Sequence, residues 1–480
     1  MRRKHVVVVG GGITGLAAAY RLQERAREAG LAVDWTLVER ESRLGGKIVT
    51  EVVDDFIVDG GPDSFLSEKP GVIDLARRVG AAGRLLPTNE SERGTFIYSR
   101  GRLHRLPDGL LMMVPTRLWP MVATGLLSWP GKLRMAMDLF IPPRRDRADE
   151  SLESFVVRRL GREALERIAE PLVAGIHASE PSRMSVRASF PRFVRMEEEH
   201  GSLIRAALAA RRRAAAAAPG GGAGDLPVPR TYFMSFRGGM GDLTASVAAR
   251  LDPGRVVLGR GVSEIAPGRD GAPYAVFLEG GGRLEADAVI LATPSVDTAR
   301  LLEGVDPEIA GLVGQIPMAP AITVSLAWRR ADLPPGLEGF GFLVPAVERR
   351  RLMGVTYSSV KWEGRAPDGK HFLLRAFLGG PRDRGLVQAP DAHVVRIVRQ
   401  ELKEIAGIAA EPIFARVYRW EHGIHQYTLG HLERVAAIEG ALARLPGLFL
   451  AGGAYHGIGI PDCIRSGEGA AEAALAFVRA

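Results

Sequence analysis

The chain has 480 residues, 46% of them apolar and 25% charged, and it carries a formal net charge of +8. Its length predicts two or three structural units rather than one core, and its composition is that of an ordinary globular protein. No run of about 20 uninterrupted apolar residues occurs, which excludes a transmembrane helix. The single cysteine, Cys463, excludes an internal disulfide and predicts a reducing, cytoplasmic location.

The positive charge has two interpretations. No nucleic-acid-binding module is recognisable, and Asp and Glu are interleaved with Arg along most of the sequence. The excess of arginine therefore indicates either a general compositional bias or an anionic small-molecule substrate. The histidines lack the spacing of metal ligands and Cys463 has no partner cysteine, so no metal site is predicted.

The first elements predict a β-α-β unit. Val6–Val9 is an apolar run typical of a buried strand, Thr14–Ala29 has apolar residues at helical spacing, and Trp35–Glu39 predicts a second parallel strand. The turn after the first strand, Gly10-Gly11-Gly12-Ile13-Thr14-Gly15, fits the pattern G-x-G-x-x-G. Its glycines allow a tight turn and close approach to a pyrophosphate, which binds at the positive end of the helix dipole.

Glu39 ends the second strand, 24 residues beyond Gly15. Its carboxylate is placed to accept hydrogen bonds from an adenosine ribose, and it disfavours the 2′-phosphate of NADP. Because NAD and FAD share this fingerprint, the choice depends on the segments that follow. Arg43-Leu44-Gly45-Gly46-Lys47 places charge and flexible glycines beside the pyrophosphate, and the glycines of Asp59–Phe65 permit close approach to a flavin.

The end of the chain predicts a second approach to the cofactor. Leu450–Asp462 has the pattern of a strand, a glycine-rich turn and a helix start. The positive end of that helix dipole would stabilise an anionic reduced flavin, while Asp462 also suits the role of N-cap. Since no second G-x-G-x-x-G opens a helix, a nicotinamide site is not expected, and the predicted cofactor is FAD.

The middle of the chain changes character. From about residue 85 to 215 the pattern predicts helices punctuated by prolines, and residues 206–230 predict a mobile surface loop of low complexity. Within the helices, Leu110–Trp129 is strongly apolar. This segment indicates either a buried cleft wall or a peripheral membrane contact.

The second half alternates between two sheets. Arg255–Val262, Tyr274–Leu278 and Ala288–Ala292 predict strands of the resumed nucleotide-binding unit, and Leu448–Ala451 precedes a C-terminal helix from about Asp462. A mostly antiparallel sheet, with a helix near 391–405 packed on it, is predicted from four further strands: Ala321–Trp328, Gly341–Val344, Phe372–Leu378 and Ala415–Trp420.

The predicted fold class is α/β, with a discontinuous Rossmann-type FAD-binding domain, a mixed or antiparallel-sheet substrate domain and a mostly helical insertion. The boundaries we expect are 1–84, 231–300 and 440–480 for the FAD-binding domain, 85–105 and 301–439 for the substrate domain, and 106–230 for the helical domain.

These motifs resemble those of the flavin-containing amine oxidase superfamily and, within it, the porphyrinogen oxidases. The segments that narrow the resemblance to the bacterial coproporphyrinogen III oxidases are Arg102–Pro107, Glu170–Ala178, Arg419-Trp420, Gln426-Tyr427 and Gly459–Ile464. The resemblance spans essentially the whole chain except residues 206–230. Membrane-bound relatives have an arginine near Thr95 that binds a propionate, and its absence here is compatible with the bacterial type.

The resemblance implies specific site residues. Those matching the family's FAD contacts are Gly10, Gly11, Gly12, Ile13, Thr14, Gly15, Glu39, Arg40, Lys47, Gly61, Pro62, Asp63, Ser64, Val262, Trp420, Ile460, Pro461 and Asp462. Gly175 matches the glycine that faces the substrate, and Phe65 and Lys69 match residues at the substrate mouth.

The implied reaction is the six-electron oxidation of a porphyrinogen by FAD and dioxygen in haem biosynthesis, with transient contacts to enzymes of that pathway. No catalytic acid or base is assigned; His456 suits either a proton relay or a structural hydrogen bond. The candidate partners for the substrate propionates are Lys69, Arg102, Arg105 and Arg375.

Two other functions stay open at the level of sequence. An amine or polyamine oxidase of the same fold would need an acidic cleft and an aromatic pair at the flavin. A non-catalytic flavin-binding scaffold would use the apolar segment 110–130 to contact a membrane or a partner protein.

Overall fold

The computed structural model describes residues 3–146, 148–216, 229–268 and 271–479 of the protein. The strands within these ranges are β1 Lys4–Val9, β2 Val33–Val38, β3 Thr50–Val53, β4 Phe56–Asp59, β5 Phe65–Leu66, β6 Leu85–Pro87, β7 Phe96–Ser99, β8 Arg102–Arg105, β9 Leu110–Leu111, β10 Val114–Pro115, β11 Phe233–Phe236, β12 Val256–Val257, β13 Val262–Pro267, β14 Tyr274–Leu278, β15 Arg283–Ala286, β16 Ala288–Leu291, β17 Met318–Arg329, β18 Gly341–Leu343, β19 Gly354–Thr356, β20 His371–Gly379, β21 Phe414–His425 and β22 Leu448–Leu450.

The helices within them are α1 Ile13–Glu28, α2 Gly71–Arg78, α3 Leu118–Ala123, α4 Trp129–Ala136, α5 Leu152–Leu160, α6 Arg162–Ala164, α7 Glu170–His177, α8 Val186–Ser189, α9 Pro191–His200, α10 Leu203–Ala216, α11 Gly241–Ala248, α12 Ser295–Leu302, α13 Pro307–Gly314, α14 Ser358–Lys361, α15 Asp391–Ala406, α16 His431–Leu442 and α17 Ile460–Arg479. A π-helical turn, Leu165–Ala169, joins α6 to α7.

The nucleotide-binding unit is a five-stranded parallel sheet with the order β12-β2-β1-β16-β22. Its strands come from three distant parts of the sequence, as the α/β prediction required. Helices α1, α2, α11 and α17 bury one face, and α12, α13 and α16 bury the other. Two covered faces explain why the β1 residues Val6–Val9 are continuously apolar and buried.

A seven-stranded sheet, with the order β21-β17-β20-β19-β18-β7-β8, forms the second unit. Its pairs are antiparallel except for β18 with β7. Alternate residues of β20 face opposite sides. Leu374 and Ala376 pack under α15, whereas Leu373 packs on the β3–β4 hairpin and Arg375 reaches the loop that follows β4.

The helical unit has its own core, built from α4, α5, α7, α9 and α10. A fully buried arginine, Arg159, holds it together by donating from Nε to the carboxylate of Asp138 at 2.6 Å and from Nη2 to the carbonyl oxygen of Gly201 at 3.0 Å. In the described part of the chain, no helix is both long and apolar enough to cross a membrane.

The structure corrects the predicted helical character of residues 85–105. This segment contains β6, β7 and β8, because β6 pairs with β11 and the other two strands extend the edge of the seven-stranded sheet. Aromatic and β-branched residues such as Phe96, Ile97 and Tyr98 favour this outcome.

Three boundaries also differ from prediction. The strand expected over Arg255–Val262 is interrupted after β12, since Gly259 adopts a positive φ of 69°, and β13 begins at Val262. The loop expected near 206–230 is helical through Ala216, and residues 217–228 lie outside the described ranges. The last helix begins at Ile460, with Pro461 in its first turn, where the missing N–H costs nothing.

Candidate active site

The glycine turn between β1 and α1 has the geometry of a phosphate cradle. A Cβ at Gly15 would overlap the carbonyl oxygen of Gly10, so the close strand–helix approach requires glycine there, whereas Gly12 faces open space. Among the described residues, no side chain caps α1 and no acidic residue occupies its first turn. Its N-terminal N–H groups are therefore free to bind a pyrophosphate.

Glu39 lies directly beside this turn. Its Oε2 accepts from the Gly11 N–H at 2.5 Å, and its Oε1 accepts from the Glu41 N–H at 2.8 Å. The Arg260 N–H donates to the Glu39 carbonyl oxygen at 3.1 Å, so the segment that leads into β13 at Val262 runs beside the end of β2. This grouping fits the ribose and adenine end of a dinucleotide. Arg40 instead turns to Asp297, with 3.5 Å between Nη1 and Oδ1.

Lys47 is a buried cation next to the glycine turn. Its segment crosses the turn through a β-bridge between Gly12 and Gly45. The Lys47 ammonium donates to the Gly423 carbonyl oxygen at 2.6 Å. Burial lowers the pKa of Lys47 to about 8. A buried ammonium of this kind gains most from an anionic partner, and the pyrophosphate of a bound dinucleotide supplies one.

The loop after β4 is held by its backbone carbonyl groups. The Gly60 carbonyl oxygen accepts from Trp420 Nε1 at 3.2 Å and from Thr323 Oγ1 at 2.6 Å. Arg375 Nη1 donates to the Gly61 carbonyl oxygen at 2.7 Å, so both glycines are tied to the inner face of the seven-stranded sheet. A Cβ at Gly61 would overlap the Lys47 carbonyl oxygen. The predicted cofactor residues Gly61, Lys47 and Trp420 therefore meet in one place.

The carboxylate of Asp63 points into the protein interior. Its Oδ2 accepts from Lys361 Nζ at 3.2 Å and from Trp362 Nε1 at 3.1 Å, and Ser64 Oγ donates to its Oδ1 at 2.9 Å. Burial alone would raise the pKa of Asp63, but the charges of Lys361 and Arg375 and these hydrogen bonds hold it well below its usual range. This geometry leaves the backbone of Asp63, rather than its carboxylate, for contact with a cofactor.

The turn between β22 and α17 closes the other side of the candidate site. The buried carboxylate of Asp462 pairs with Lys69 at 2.6 Å and with Arg465 at 2.8 Å. The buried Tyr427 hydroxyl donates to the Gly453 carbonyl oxygen at 3.0 Å and accepts from the Gly457 N–H at 2.6 Å. The turn is thus fixed before α17 begins, which places Ile460, Pro461 and Asp462 at a rigid helix start.

Three residues predicted near the substrate have different surroundings from those expected. Lys69 is engaged by Asp462, and Arg375 is buried beneath Gly61, so neither is a free cation on a cleft rim. Phe65 is 3% exposed and packs on Phe236 in the core, rather than on an open mouth. His456 forms an exposed pair with Glu439 at 2.6 Å, which favours the structural interpretation of its role.

Gly175 lies on α7, opposite the seven-stranded sheet. A Cβ at Gly175 or at Gly354 would come within 3.0 Å of the Leu343 side chain, so Leu343 packs closely against both glycines. A cavity of about 210 Å³ opens beside this point, between α7 and the sheet, with Ala174, Ala178, Met353 and Gly379 among its lining residues.

Sequence reasoning missed the residues that hold the site from a distance. Thr323, Leu343, Gly354 and Lys361 come from the seven-stranded sheet or the helix beside it and lie far along the chain from the glycine turn. No local motif marks them. Only the pairing of β17, β18, β19 and β20 brings them together.

The comparison with known families decides the nature of this site. The pattern of the flavin containing amine oxidoreductases matches residues 13–475. The chain belongs to that family. Its cofactor is FAD, and the free helix terminus, Glu39 and the buried ammonium of Lys47 fit the parts of that molecule.

The similarity of this flavin enzyme to its relatives covers nearly its full length. It is 34% identical to coproporphyrinogen III oxidase of Bacillus subtilis (strain 168), covering 99% of each chain. It is 37% identical to coproporphyrinogen III oxidase of Propionibacterium freudenreichii subsp. freudenreichii, covering 98% of this chain and 90% of the relative. A crystal structure from Exiguobacterium sp. 255-15, whose protein has the provisional name protoporphyrinogen oxidase, superposes with a TM-score of 0.84 at 32% identity and covers 100% of both chains.

Proposed function

We propose that this flavin enzyme oxidises coproporphyrinogen III to coproporphyrin III in haem biosynthesis. The observation that carries the proposal is the match to two relatives that bear the name of this activity, at 34% and 37% identity. These matches cover nearly the entire chain, including α7 and the seven-stranded sheet, between which the cavity of about 210 Å³ opens.

The overall reaction removes six electrons and six protons from the porphyrinogen, and three dioxygen molecules become three molecules of hydrogen peroxide. When bound, FAD supplies hydride acceptance from the substrate and reoxidation by dioxygen. The electron-rich pyrroles already activate the C–H bond. The protein therefore acts by orientation: Gly60, Gly61 and Trp420 define one side of the site, and α7 defines the other.

Two of the four candidate cations for the substrate propionates already have partners within the protein. With Lys69 paired to Asp462 and Arg375 buried beneath Gly61, the exposed Arg102 and Arg105 of β8 stay as the proposed partners. Arg40, Val262, Ile460 and Pro461 stay proposed FAD contacts, together with the glycine turn and the loop around Gly61. Dioxygen as acceptor, transient contacts with pathway enzymes and a cytoplasmic location belong to the same proposal.

Protoporphyrinogen IX is the second candidate substrate, favoured by the full-length structural match to a protein that bears that name. The two substrates differ in two propionates against two vinyl groups, so the charge at the edge of the cleft decides between them. If the exposed Arg102 and Arg105 bind propionates, as we propose, they favour the more anionic coproporphyrinogen.

The test is aerobic turnover of the purified, flavin-loaded protein with each porphyrinogen, followed by porphyrin fluorescence and peroxide release. We expect faster oxidation of coproporphyrinogen III. Gly175→Leu should lower turnover by at least about tenfold without loss of flavin absorbance, because the new side chain would collide with Leu343 beside the cavity. Gly83→Leu is the control, since a Cβ at Gly83 meets nothing within 4 Å. Oxidation of neither substrate by protein whose flavin is bound and reducible would overturn the proposal and leave an amine oxidase or a scaffold.

A further inference from the structure

Five charged side chains form a largely buried cluster beneath the loop that follows β4: Asp59, Asp63, Lys361, Arg365 and Arg375. Three of them carry a polar atom without a hydrogen-bond partner in the described part of the chain, namely Asp59 Oδ2, Arg365 Nε and Arg375 Nε. Asp59 and Arg375 are 6% exposed, and Arg365 is 1% exposed. Because buried donors and acceptors in folded proteins are nearly always satisfied, these three atoms point to a bound ligand.

The other polar atoms of Asp59 and Arg365 hold these two side chains in place. Asp59 Oδ1 accepts from Thr50 Oγ1 at 2.6 Å and from the Met240 N–H at 2.9 Å. Arg365 Nη2 donates to the Ser235 hydroxyl at 2.9 Å. The same Nη2 lies 3.4 Å from Asp59 Oδ2, which makes an ion pair but not a hydrogen bond. A rotation that paired the free atoms directly would break the bonds already made.

A small cavity of about 10 Å³ lies among the same side chains. Asp59, Arg365 and Arg375 line it, together with Ser325 and Ser358. Ser325 is directly opposite Arg375 in the pairing of β17 with β20, so the two side chains share this face of the sheet. A volume of about 10 to 15 Å³ holds one water molecule, provided that polar groups surround it.

The number and type of the free groups select the ligand. The cluster offers two free N–H donors, on Arg365 and Arg375, and one free acceptor, on Asp59. A buried water molecule typically makes about three hydrogen bonds, so one water satisfies all three groups. A metal cation would be repelled by the two guanidinium groups, and a monovalent anion would be repelled by the Asp59 carboxylate.

We propose that this cavity is an internal binding site for one water molecule, which joins Asp59 to both arginines and fixes the orientation of Arg375. Arg375 Nη1 donates to the carbonyl oxygens of Asp59 at 3.0 Å and of Gly61 at 2.7 Å. With the water at its Nε, the guanidinium is held on two edges, and the Gly61 backbone is held with it. Arg375 is then a positioning residue for the cofactor, a role that rests on Gly61 being one of the proposed FAD contacts.

The first test is a crystal structure of the flavin-loaded protein at a resolution that shows ordered water, from crystals with and without a sodium bromide soak. We expect one oxygen peak in the cavity, roughly 2.6 to 3.2 Å from Asp59 Oδ2, Arg365 Nε and Arg375 Nε. No anomalous bromine signal should coincide with it. Direct hydrogen bonds among the three side chains, with no peak between them, would overturn the proposal. A bromine peak would also overturn it and assign the site to a monovalent anion.

Two substitutions of Ser325 then separate the water from the hydroxyl group that lines its cavity. Ser325→Val and Ser325→Ala both remove the hydroxyl, but only valine carries methyl groups that take up the space of the water. Ser325→Val should lose the oxygen peak and about fivefold in affinity for FAD, measured by flavin fluorescence quenching. The visible circular dichroism of its bound flavin should change as well. Ser325→Ala should keep the peak, the affinity and the spectrum. Equal affinities for FAD in the two variants would overturn the positioning role of the water.

Discussion

Individual side chains around the FAD site act mostly by holding backbone groups in place. Trp420 and Thr323 donate to one carbonyl oxygen of Gly60, and Tyr427 bridges Gly453 and Gly457. The glycines themselves are required where backbones nearly touch, as at Gly15 and Gly61. At this scale the chemistry is left to the cofactor, and the residues supply geometry and charge.

A substitution of Asp63 tests how much its buried ion pairs, beneath the loop that follows β4, contribute to stability. Asp63→Asn leaves Lys361 and Arg375 without their carboxylate, and the loss of a buried partner should destabilise the protein by about 3 kcal/mol. Denaturant unfolding followed by circular dichroism measures the change. Asp146→Asn, which removes an exposed partner of Arg144, should leave the midpoint unchanged; equal effects of the two substitutions would contradict the prediction.

The same carboxylate predicts a dependence of stability on pH. Because the folded pKa of Asp63 lies below its unfolded value, its contribution is complete above the ordinary aspartate pKa of about 4 and is lost as the pH falls below it. The unmodified protein should therefore lose stability below about pH 4 more steeply than Asp63→Asn does. Parallel pH profiles for the two proteins would argue against this assignment.

The lowered pKa of Lys47 leads to a prediction about how the affinity for FAD changes with pH. Its ammonium, with a pKa of about 8, is charged below that pH and neutral above it, and only the charged form attracts the pyrophosphate. Affinity for FAD, measured by flavin fluorescence quenching, should fall by about tenfold between pH 7 and pH 9. Lys47→Met should bind weakly and independently of pH, and Lys47→Arg should keep its affinity across the range. A flat profile for the unmodified protein would show that Lys47 does not serve the cofactor.

At the scale of elements, the site depends on how closely α17 crosses α1. Gly467 of α17 sits against the backbone of Thr14, in the first turn of α1, and a Cβ there would overlap the Thr14 carbonyl oxygen. The two helix starts that flank the cofactor are therefore held in fixed relation by one glycine contact.

Gly467→Ala should destabilise the protein by about 2 kcal/mol and weaken FAD binding, because the two helices must move apart. Gly469→Ala is the matched control, since a Cβ at Gly469 meets nothing within 4 Å. The control should be neutral or stabilising by up to about 1 kcal/mol, as alanine favours a helix more than glycine does. Thermal unfolding and flavin content measure both effects, and an inert Gly467→Ala would mean that the crossing is loose.

At the scale of the whole molecule, the FAD site joins parts of the chain that are far apart. The glycine turn comes from residues 10–15, and Arg260 contacts the backbone of Glu39 beside it. The helix that begins at Ile460 closes the site. A ligand bound to such a site stabilises all three parts together. Cofactor binding and global stability should therefore be linked.

Removal of FAD should lower the thermal unfolding midpoint, and added FAD should restore it in proportion to the logarithm of its concentration. At a hundredfold excess over Kd the gain is about 2.7 kcal/mol. Hydrogen exchange should speed up together in residues 10–15, 45–47 and 452–462 when FAD is removed, while α15 serves as an internal reference. Faster exchange in one of these segments alone would show that they do not act as a unit.

The amino-acid order alone was enough to identify the β-α-β unit, the cofactor class and the α/β fold, because these depend on local patterns. The run Val6–Val9, the glycine turn and the position of Glu39 carry their meaning within one segment. The family assignment and the fold confirmed these predictions. The domain boundaries and the individual cofactor contacts stay predictions.

Tertiary structure decided which charges are free. Lys69 and Arg375 look like surface cations in the sequence, yet one is paired with Asp462 and the other is buried under Gly61. Residues 85–105 likewise became strands, since β7 and β8 found partners far away in the chain. The exposure of Trp119 and Phe140 also emerged only after folding. The common reason is that burial and pairing depend on long-range contacts, which no local pattern of residues encodes.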